Sequence, residues 1–132
     1  MPAAILNLIC DQGASFNLLL EITEDNDSPR DLTGCTAHMQ VRTSPGGTLI
    51  ADLTEANGGI IIDGPEGTIR LTQTHTQTNA YNTAGLTEGW VRTEDERRYG
   101  PIAYYDLEIT DDSGTVTRWL QGEFLISPQV TV

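Results

Sequence analysis

The chain has 132 residues, of which 19 are acidic and seven are basic, so its formal net charge is −12. This length suits one domain with a two-layer core and is too short for two separate cores. A negative charge of this size repels phosphate groups. We therefore expect no nucleic-acid partner and no binding to an anionic membrane surface.

All seven basic residues are arginine, and the chain contains no lysine. Arginine makes planar, bidentate contacts and is readily desolvated, which suits permanent contacts between proteins. Drift in a GC-rich genome also replaces lysine codons by arginine codons. The arginine bias favours neither interpretation over the other.

Strand-like segments recur along the chain and are separated by turns rich in Gly, Pro, Asn and Asp. The predicted strands lie at about 4–10, 15–23, 35–43, 48–53, 59–63, 67–73, 102–110 and 115–126. The chain begins MPAAILNLIC, which lacks the basic start of a signal peptide and predicts a strand instead. No apolar run approaches the roughly 18 residues that a transmembrane helix needs.

The clearest alternation of apolar and polar residues spans the two strands between Gln12 and Gly47. The apolar face consists of Phe16, Leu18, Leu20 and Ile22 in the first strand and of Cys35, Ala37, Met39 and Val41 in the second. A period of two maintained over both strands is typical of a sheet with one buried and one solvent-facing side. With eight short strands, it predicts an all-β sandwich or a small barrel.

Two later features refine this prediction. Thr74 stands three residues before Gln77, which is the spacing of a capping box, and predicts a short helix over about 75–84. The strands on either side of the DDSG turn at 111–114 form the clearest hairpin. Gly122 interrupts the second of them and predicts a β-bulge.

The N-terminal strand is apolar on both faces, so it is either a central strand of its own domain or an addition to the sheet edge of a neighbouring subunit. We favour its own domain. Cys10 and Cys35 are too few for a disulfide framework and are typical of small buried hydrophobic residues. A bridge between them requires the first and third strands to be neighbours.

Several turn and strand motifs together resemble a family of small tailed-bacteriophage proteins. These motifs are Gln12-Gly13, Phe16-x-Leu18-x-Leu20, Asp31-Leu32-Thr33-Gly34-x-Thr36-Ala37-x-Met39-Gln40-Val41-Arg42, Asn57-Gly58-Gly59-Ile60, Gly67-Thr68-Ile69, Tyr105-Asp106-Leu107-Glu108-Ile109, the Asp-Ser-Gly turn at 112–114, Gly122-Glu123-Phe124 and Ser127-Pro128-Gln129-Val130-Thr131. The family's domain is similar to the immunoglobulin-like N-terminal domain of phage baseplate upper proteins. The resemblance implies one immunoglobulin-like β-sandwich of seven to nine strands over residues 1–132, with one short crossover helix. Its motifs specify a scaffold and no chemistry.

The chain departs from the resemblance at about 87–100, where family members pass almost directly from the helix to the next strand. This insert holds three of the seven arginines, one of the two tryptophans and a tyrosine. These residue types dominate interface hot spots, and loops on a rigid sheet commonly carry binding sites. The candidate partner-interface residues are Trp90, Arg92, Arg97, Arg98 and Tyr99. The alternative is a self-paired, solvated β-hairpin.

Metal-binding signals are weak. Asp25, Asn26 and Asp27 have the alternating oxygens of a calcium loop, but Pro29 and Arg30 occupy positions where further ligands and a glycine are needed. His38 and His75 have no spaced partner for zinc. We expect an acidic turn and no metal or other cofactor.

Catalytic signals are equally weak. No serine lies in a Gly-x-Ser-x-Gly elbow, and neither histidine has a nucleophile at a characteristic spacing. Asp106 and Glu108 share one strand face about 7 Å apart, a separation at which paired carboxylates cleave glycosidic bonds. On the wet face of an acidic chain we expect them to be solubilising, and we expect no enzyme.

The resemblance implies a structural role in a virion that assembles in the host cytoplasm. We expect a tail, baseplate or fibre-attachment component that packs against other virion proteins within a symmetric assembly and forms a homo-oligomer there. One alternative is a capsid cement or decoration protein that clamps coat subunits. Another is a carbohydrate-binding adhesin that uses Trp90 and Tyr99 as stacking platforms.

Overall fold

The computed structural model describes residues 3–24 and 26–128. It is mostly β, with 54% of residues in strands and 4% in helix, and it has two sheets. Within these ranges the elements in chain order are β1 (Ala4–Ile5), β2 (Leu8–Asp11), β3 (Phe16–Glu21), β4 (Thr36–Arg42), β5 (Leu49–Thr54), β6 (Ile60–Asp63), β7 (Thr68–Gln73), α1 (His75–Asn79), β8 (Glu88–Arg92), β9 (Arg97–Thr110) and β10 (Val116–Ser127).

The larger sheet has seven strands and the smaller has three. The larger sheet runs β1-β10-β9-β4-β5, with β2 also paired to β10 and β8 also paired to β9, and the smaller sheet runs β3-β7-β6. Both N-terminal strands are parallel to β10 of their own chain, whereas the other pairs are antiparallel. The N-terminal segment therefore belongs to the chain's own sheet, as we expected, but it lies at the edge of that sheet and is not a central strand.

The described part of the chain has ten strands, rather than the seven to nine predicted. The predicted strand at 4–10 is divided because Leu6 and Asn7 lie between β1 and β2. Leu6 still bonds to the sheet, since its N–H donates to the Gln121 carbonyl at 3.0 Å. The other additional strand is β8, which forms from the insert at 87–100.

One core lies between the two sheets. In the larger sheet, alternate residues of β4 and β9 face inward. The register places them opposite one another in the pairs Val41–Tyr105, Met39–Leu107 and Ala37–Ile109. The smaller sheet contributes Ile69 and Leu71, both fully buried. This arrangement follows from the period-two pattern, which places one face of each strand against apolar neighbours.

Phe124 on β10 is the aromatic centre of this core. Its ring centroid lies 5.7 Å from that of Phe16, 6.4 Å from that of Tyr81 and 6.3 Å from that of Tyr105. The side chain is 1% exposed. It thus joins β10 to the smaller sheet and to the segment that follows α1.

The capping box predicted for the helix is present. The Gln77 N–H donates to Thr74 Oγ at 3.2 Å, and the Thr74 N–H donates to Gln77 Oε1 at 2.8 Å. The helix ends at Asn79, earlier than the predicted residue 84. A helix rich in Thr has low intrinsic propensity, and this one is held instead by the buried Thr78 hydroxyl, which donates to the Ala14 carbonyl at 2.8 Å.

The predicted bulge lies at a different residue. The register between β9 and β10 shifts between Arg118 and Leu120, so Trp119 is the extra residue and Gly122 is in regular register with Tyr105. Gly122 is needed for close packing instead, because a Cβ there would lie 2.5 Å from the Leu6 carbonyl oxygen. A glycine in a strand marks either a bulge or a close backbone approach, and here it marks the approach.

Both cysteines are free. Cys10 is buried on β2, and burial, with a smaller contribution from Asp11, raises the pKa of its thiol to about 12. Cys35 precedes β4 and is partly buried. A buried thiol that remains protonated behaves as a small hydrophobic residue, as the sequence suggested.

The acidic loop after β3 forms a turn. Asn26 Oδ1 accepts from the Ser28 N–H at 3.2 Å and from its hydroxyl at 2.6 Å, which is an Asx turn. Asp25, the first residue of the calcium-like triplet, lies outside the described residues. Within the described ranges, no group of three or more His, Cys, Asp and Glu side chains is placed to hold a metal ion, and no helix is long and apolar enough to cross a membrane.

Replacing Phe124 tests the core. Phe124→Ala removes the ring on which three aromatic side chains converge and should lower the free energy of unfolding by about 3–5 kcal/mol. Val116→Ala, at a residue that is 57% exposed, should change it by less than about 0.5 kcal/mol. Urea denaturation measures both, and similar effects of the two substitutions would contradict the proposed centre of the core.

Asp111 gives a pH-dependent test of the turn between β9 and β10. Its Oδ1 accepts from the N–H groups of Ser113 and Thr115 and from the Ser113 hydroxyl, and these bonds, the hydroxyl first, hold the pKa of Asp111 below its usual value. A lowered pKa in the folded state means that the bonds stabilise the protein above about pH 4 and do so less as the pH falls through the folded-state value.

Asp111→Ala should therefore lower the urea midpoint at pH 7, and its difference from the unmodified protein should shrink below about pH 4. Asp112→Ala is the matched control, because the Asp112 carboxylate accepts no hydrogen bond from the described residues. A difference for Asp111→Ala that stayed constant from pH 7 to pH 2 would refute this account of the turn.

Candidate functional site

The insert folds as a β-hairpin built from β8 and the start of β9. Trp90 is opposite Tyr99, and Arg92 is opposite Arg97. Thr93 closes the turn, since its N–H donates to the Glu96 carbonyl at 2.8 Å and its hydroxyl oxygen accepts from the Glu96 N–H at 3.2 Å. The hairpin thus extends the larger sheet beyond the point where β4 ends.

One face of the hairpin is packed against the sheet. Val91 is completely buried in a small cluster with Ile102 and Leu125, against which Ile9 also packs. Gly100 allows this contact, because a Cβ there would lie 3.3 Å from Leu125 Cδ2. The hairpin therefore has an apolar anchor separate from the main core.

Arg98 also lies on this packed face. Its guanidinium donates to Asp11 Oδ1 at 2.5 Å and to Glu96 Oε2 at 2.7 Å, and the side chain is 33% exposed. The bonds to Glu96 and then Asp11 raise the pKa of Arg98 above its usual value. Of the three arginines among the predicted interface residues, Arg98 is the one that pairs with carboxylates in the described part of the chain. We infer that Arg98 holds the hairpin against β2.

The other four predicted residues share the opposite face, which we call the aromatic–arginine face: Trp90, Arg92, Arg97 and Tyr99. The rings of Trp90 and Tyr99 meet edge to face, with centroids 5.4 Å apart and planes at 68°. Arg97 Cζ lies 4.3 Å from the Trp90 ring centroid, within cation–π range. Trp90 is 57% exposed and Tyr99 is 50% exposed.

The parity of β9 explains why large aromatic side chains are exposed here. Tyr99 is on the same side of the strand as Ala103 and Tyr105, which are buried in the main core. Glycine, proline, isoleucine and alanine at residues 100–103 are buried on both sides of the strand. The aromatic–arginine face therefore continues the core-facing side of β9 past the end of the core, where no strand of the described smaller sheet covers it.

The charges on this face are not neutralised within the described chain. Neither Arg92 nor Arg97 has a carboxylate within 4.0 Å among residues 3–24 and 26–128. The acids nearest along the chain, at 94–96, are in the turn, and Glu88 is at the base of β8. Two guanidinium groups with no carboxylate partner among these residues, beside two exposed rings, make this face suited to bind a protein surface that offers carboxylates or carbonyl groups.

Of the residues weighed for metal binding or catalysis, His38 and Asp106 are in ordinary polar contacts. His38 Nε2 is 2.5 Å from Asp52 Oδ1, and this bond lowers the pKa of Asp52. Asp106 pairs with Arg118, whose Nε lies 3.3 Å from its Oδ2. Glu108 lies opposite His38 in the register. These side chains lie on a solvent-exposed face of the larger sheet.

The contact between Arg98 and Asp11 could not be found from sequence spacing, because 87 positions separate the two residues. The division of the hairpin into a packed face and an exposed face was, by contrast, visible in the alternation of residue types along the insert. Trp90 and Arg92 alternate with Gly89 and Val91, as expected for a strand with one packed side.

The chain matches no protein-family model, and no curated protein is significantly similar to it.

A double-mutant cycle measures whether the aromatic–arginine face is ordered before any partner binds. Trp90→Ala, Arg97→Ala and the double variant should give a coupling free energy of about 0.5–1 kcal/mol for the cation–π contact. Trp90→Ala alone should cost about 1 kcal/mol, because it also removes the edge-to-face contact with Tyr99. Arg92→Ala paired with Trp90→Ala serves as control and should show no coupling. Zero coupling for Arg97 would mean that the face is not preorganised.

Proposed function

We propose that the protein is a non-enzymatic structural component of a tailed-bacteriophage virion. Within an immunoglobulin-like sandwich, the aromatic–arginine face of the β8–β9 hairpin binds another virion protein at the tail, baseplate or fibre attachment point. The observation that carries the proposal is the exposed, internally ordered cluster of Trp90, Tyr99 and Arg97. The virion assignment comes from the resemblance described above.

The cluster has the composition and geometry of an interface hot spot. Trp, Tyr and Arg contribute most to binding energy when they are desolvated by a partner, and rings already held in position lose little entropy on binding. The packed face of the hairpin, with Val91 buried and Arg98 bonded to Asp11, holds this cluster on the sheet. A partner would thus meet a preformed surface.

Charge favours a protein partner over nucleic acid or a sugar at this face. The chain carries a net charge of −12, so its long-range field opposes polyanions. Arg97 covers one face of the Trp90 ring, which leaves less ring surface for stacking on a sugar. Guanidinium groups and aromatic rings are both enriched in protein interfaces.

The proposal predicts selective loss of assembly. In a phage whose genome encodes this chain, the double variant Trp90→Ala/Arg97→Ala should reduce incorporation into particles at least about tenfold, since each hot-spot residue contributes on the order of 2 kcal/mol. Quantitative mass spectrometry of purified particles measures incorporation. Circular dichroism and urea denaturation of the isolated variant check that it remains folded.

Arg70→Ala is the matched control, because Arg70 is an arginine on the smaller sheet that bonds to Asn17. It should leave incorporation unchanged. Absence of the unmodified protein from particles would refute the virion role, and unchanged incorporation of the double variant would refute the aromatic–arginine face as the interface. Hundreds of copies per particle would indicate capsid decoration, whereas three to about a dozen would indicate a tail position.

A further inference from the structure

A cleft of about 560 Å³ lies on the outer face of the larger sheet, away from the aromatic–arginine face. We call it the sheet-face cleft. Its floor is formed by outward-facing residues of β4, β9 and β10, and its rim by β1 and the loop between β4 and β5. Its volume is within the range of about 300–1,000 Å³ that is typical of small-molecule sites.

The floor consists of two rows that follow the strand register. The first row consists of Arg42 on β4, Tyr104 on β9 and Glu123 on β10, which are opposite one another in the register. The second row runs Gln40, Asp106 and Gln121, with Ile5 of β1 at its end. Alternation along three strands thus places a tyrosine ring among planar hydrogen-bonding groups.

Hydrogen bonds within the chain hold these polar groups in place. Arg42 donates from Nε and Nη2 to Gln40 Oε1, at 3.2 and 2.9 Å, and from Nη1 to the Gly47 carbonyl at 2.8 Å. At the opposite side, Arg118 donates to Gln121 Oε1 at 3.1 Å and pairs with Asp106. The bond to Gly47 also ties the rim loop to the floor. The cleft is therefore preorganised for polar recognition.

The apolar surface of the cleft comes from a few side chains that are partly exposed. The Tyr104 side chain is 40% exposed and Ile5 on the rim is 75% exposed, and Pro45 contributes from the loop. A tyrosine ring presents a flat apolar face next to a polar hydroxyl. Such a ring, with polar groups on both sides, suits a ligand that has both C–H surfaces and hydroxyl groups.

The charges in the cleft are balanced, although the chain as a whole is strongly acidic. Two arginines, Arg42 and Arg118, stand against two acids, Asp106 and Glu123. An anionic ligand would compete with Asp106 for Arg118 and would approach a chain of net charge −12. A cationic ligand would have to compete with the two arginines for the two carboxylates. The cleft thus favours an uncharged ligand.

We propose that the sheet-face cleft binds a neutral oligosaccharide. Sugar hydroxyl groups both donate and accept hydrogen bonds, so they can accept from the guanidinium groups, donate to the carboxylates and do both with the carboxamides of the two rows. The Tyr104 ring supplies the surface for a sugar's C–H face. This inference is independent of the proposed virion interface, since it uses none of the hairpin residues. An added peptide strand is disfavoured, because the floor presents side chains and the backbone edges of the sheet lie elsewhere.

The test is binding of the folded, full-length protein to an array of neutral and anionic glycans, followed by titration of ¹⁵N-labelled protein with the neutral oligosaccharide that gives the strongest signal. Chemical-shift changes should saturate and should be confined to residues of the sheet-face cleft. Tyr104→Ala should weaken binding about tenfold or more, and Tyr104→Phe should retain most of it, because the ring is kept.

Trp90→Ala is the control and should leave the affinity unchanged. The proposal is overturned if no neutral glycan binds, if only anionic glycans bind, or if Tyr104→Ala binds as well as the unmodified protein. Shift changes centred on Trp90 and Tyr99 would also overturn it and would favour sugar binding at the hairpin. Near-unchanged urea midpoints of the Tyr104 variants would exclude unfolding as the cause of lost binding.

Discussion

β9 and β10 pair without interruption except at Trp119, from the Thr110–Val116 pair to the Ile102–Leu125 pair. Four of the other five strands of the larger sheet are bonded directly to this pair: β1 and β2 to β10, and β4 and β8 to β9. Only β5 is attached through β4. Since strands of 14 and 12 residues are much longer than the usual five or six, this ladder extends beyond the core. The hairpin depends on that extra length, because β8 pairs with β9 at residues 97–101, whereas the sheet-face cleft lies on the outer side of the stretch that forms the core.

The burial pattern of β9 changes along its length, and this change creates the exposed aromatic surface. From Ala103 to Ile109 the odd-numbered residues face the main core, whereas near the hairpin the even-numbered Ile102 faces a second, smaller cluster. At residues 100–103, where these two clusters meet, the strand is buried on both sides. Tyr99 keeps the parity of the core-facing residues but has no opposing sheet, so the same alternation that forms the core leaves an aromatic residue in solvent.

Local sequence signals predicted much of this fold. Alternation indicated the strands, the Thr74–Gln77 spacing indicated the helix start, and Gly-rich and Asp-rich segments indicated the turns. Features that depend on distant residues were not predictable. The role of Gly122 depends on how closely β10 approaches Leu6 of the N-terminal segment, more than 100 positions away. The sheet-face cleft likewise requires the register of three strands, which no single segment encodes.

Two sets of contacts anchor the hairpin, and both contribute less to stability than the main core does. Val91, Ile102 and Leu125 form a cluster of three buried side chains, and the bonds of Arg98 to Asp11 and Glu96 are partly exposed, so their net contribution to stability is small. Local opening of the hairpin therefore costs less free energy than global unfolding. A partner that covers the aromatic–arginine face would add apolar burial to the three-residue cluster beneath the hairpin. How well Val91 and Arg98 hold the hairpin would then set how much of the preformed surface a partner meets, and so limit the affinity of the proposed interface.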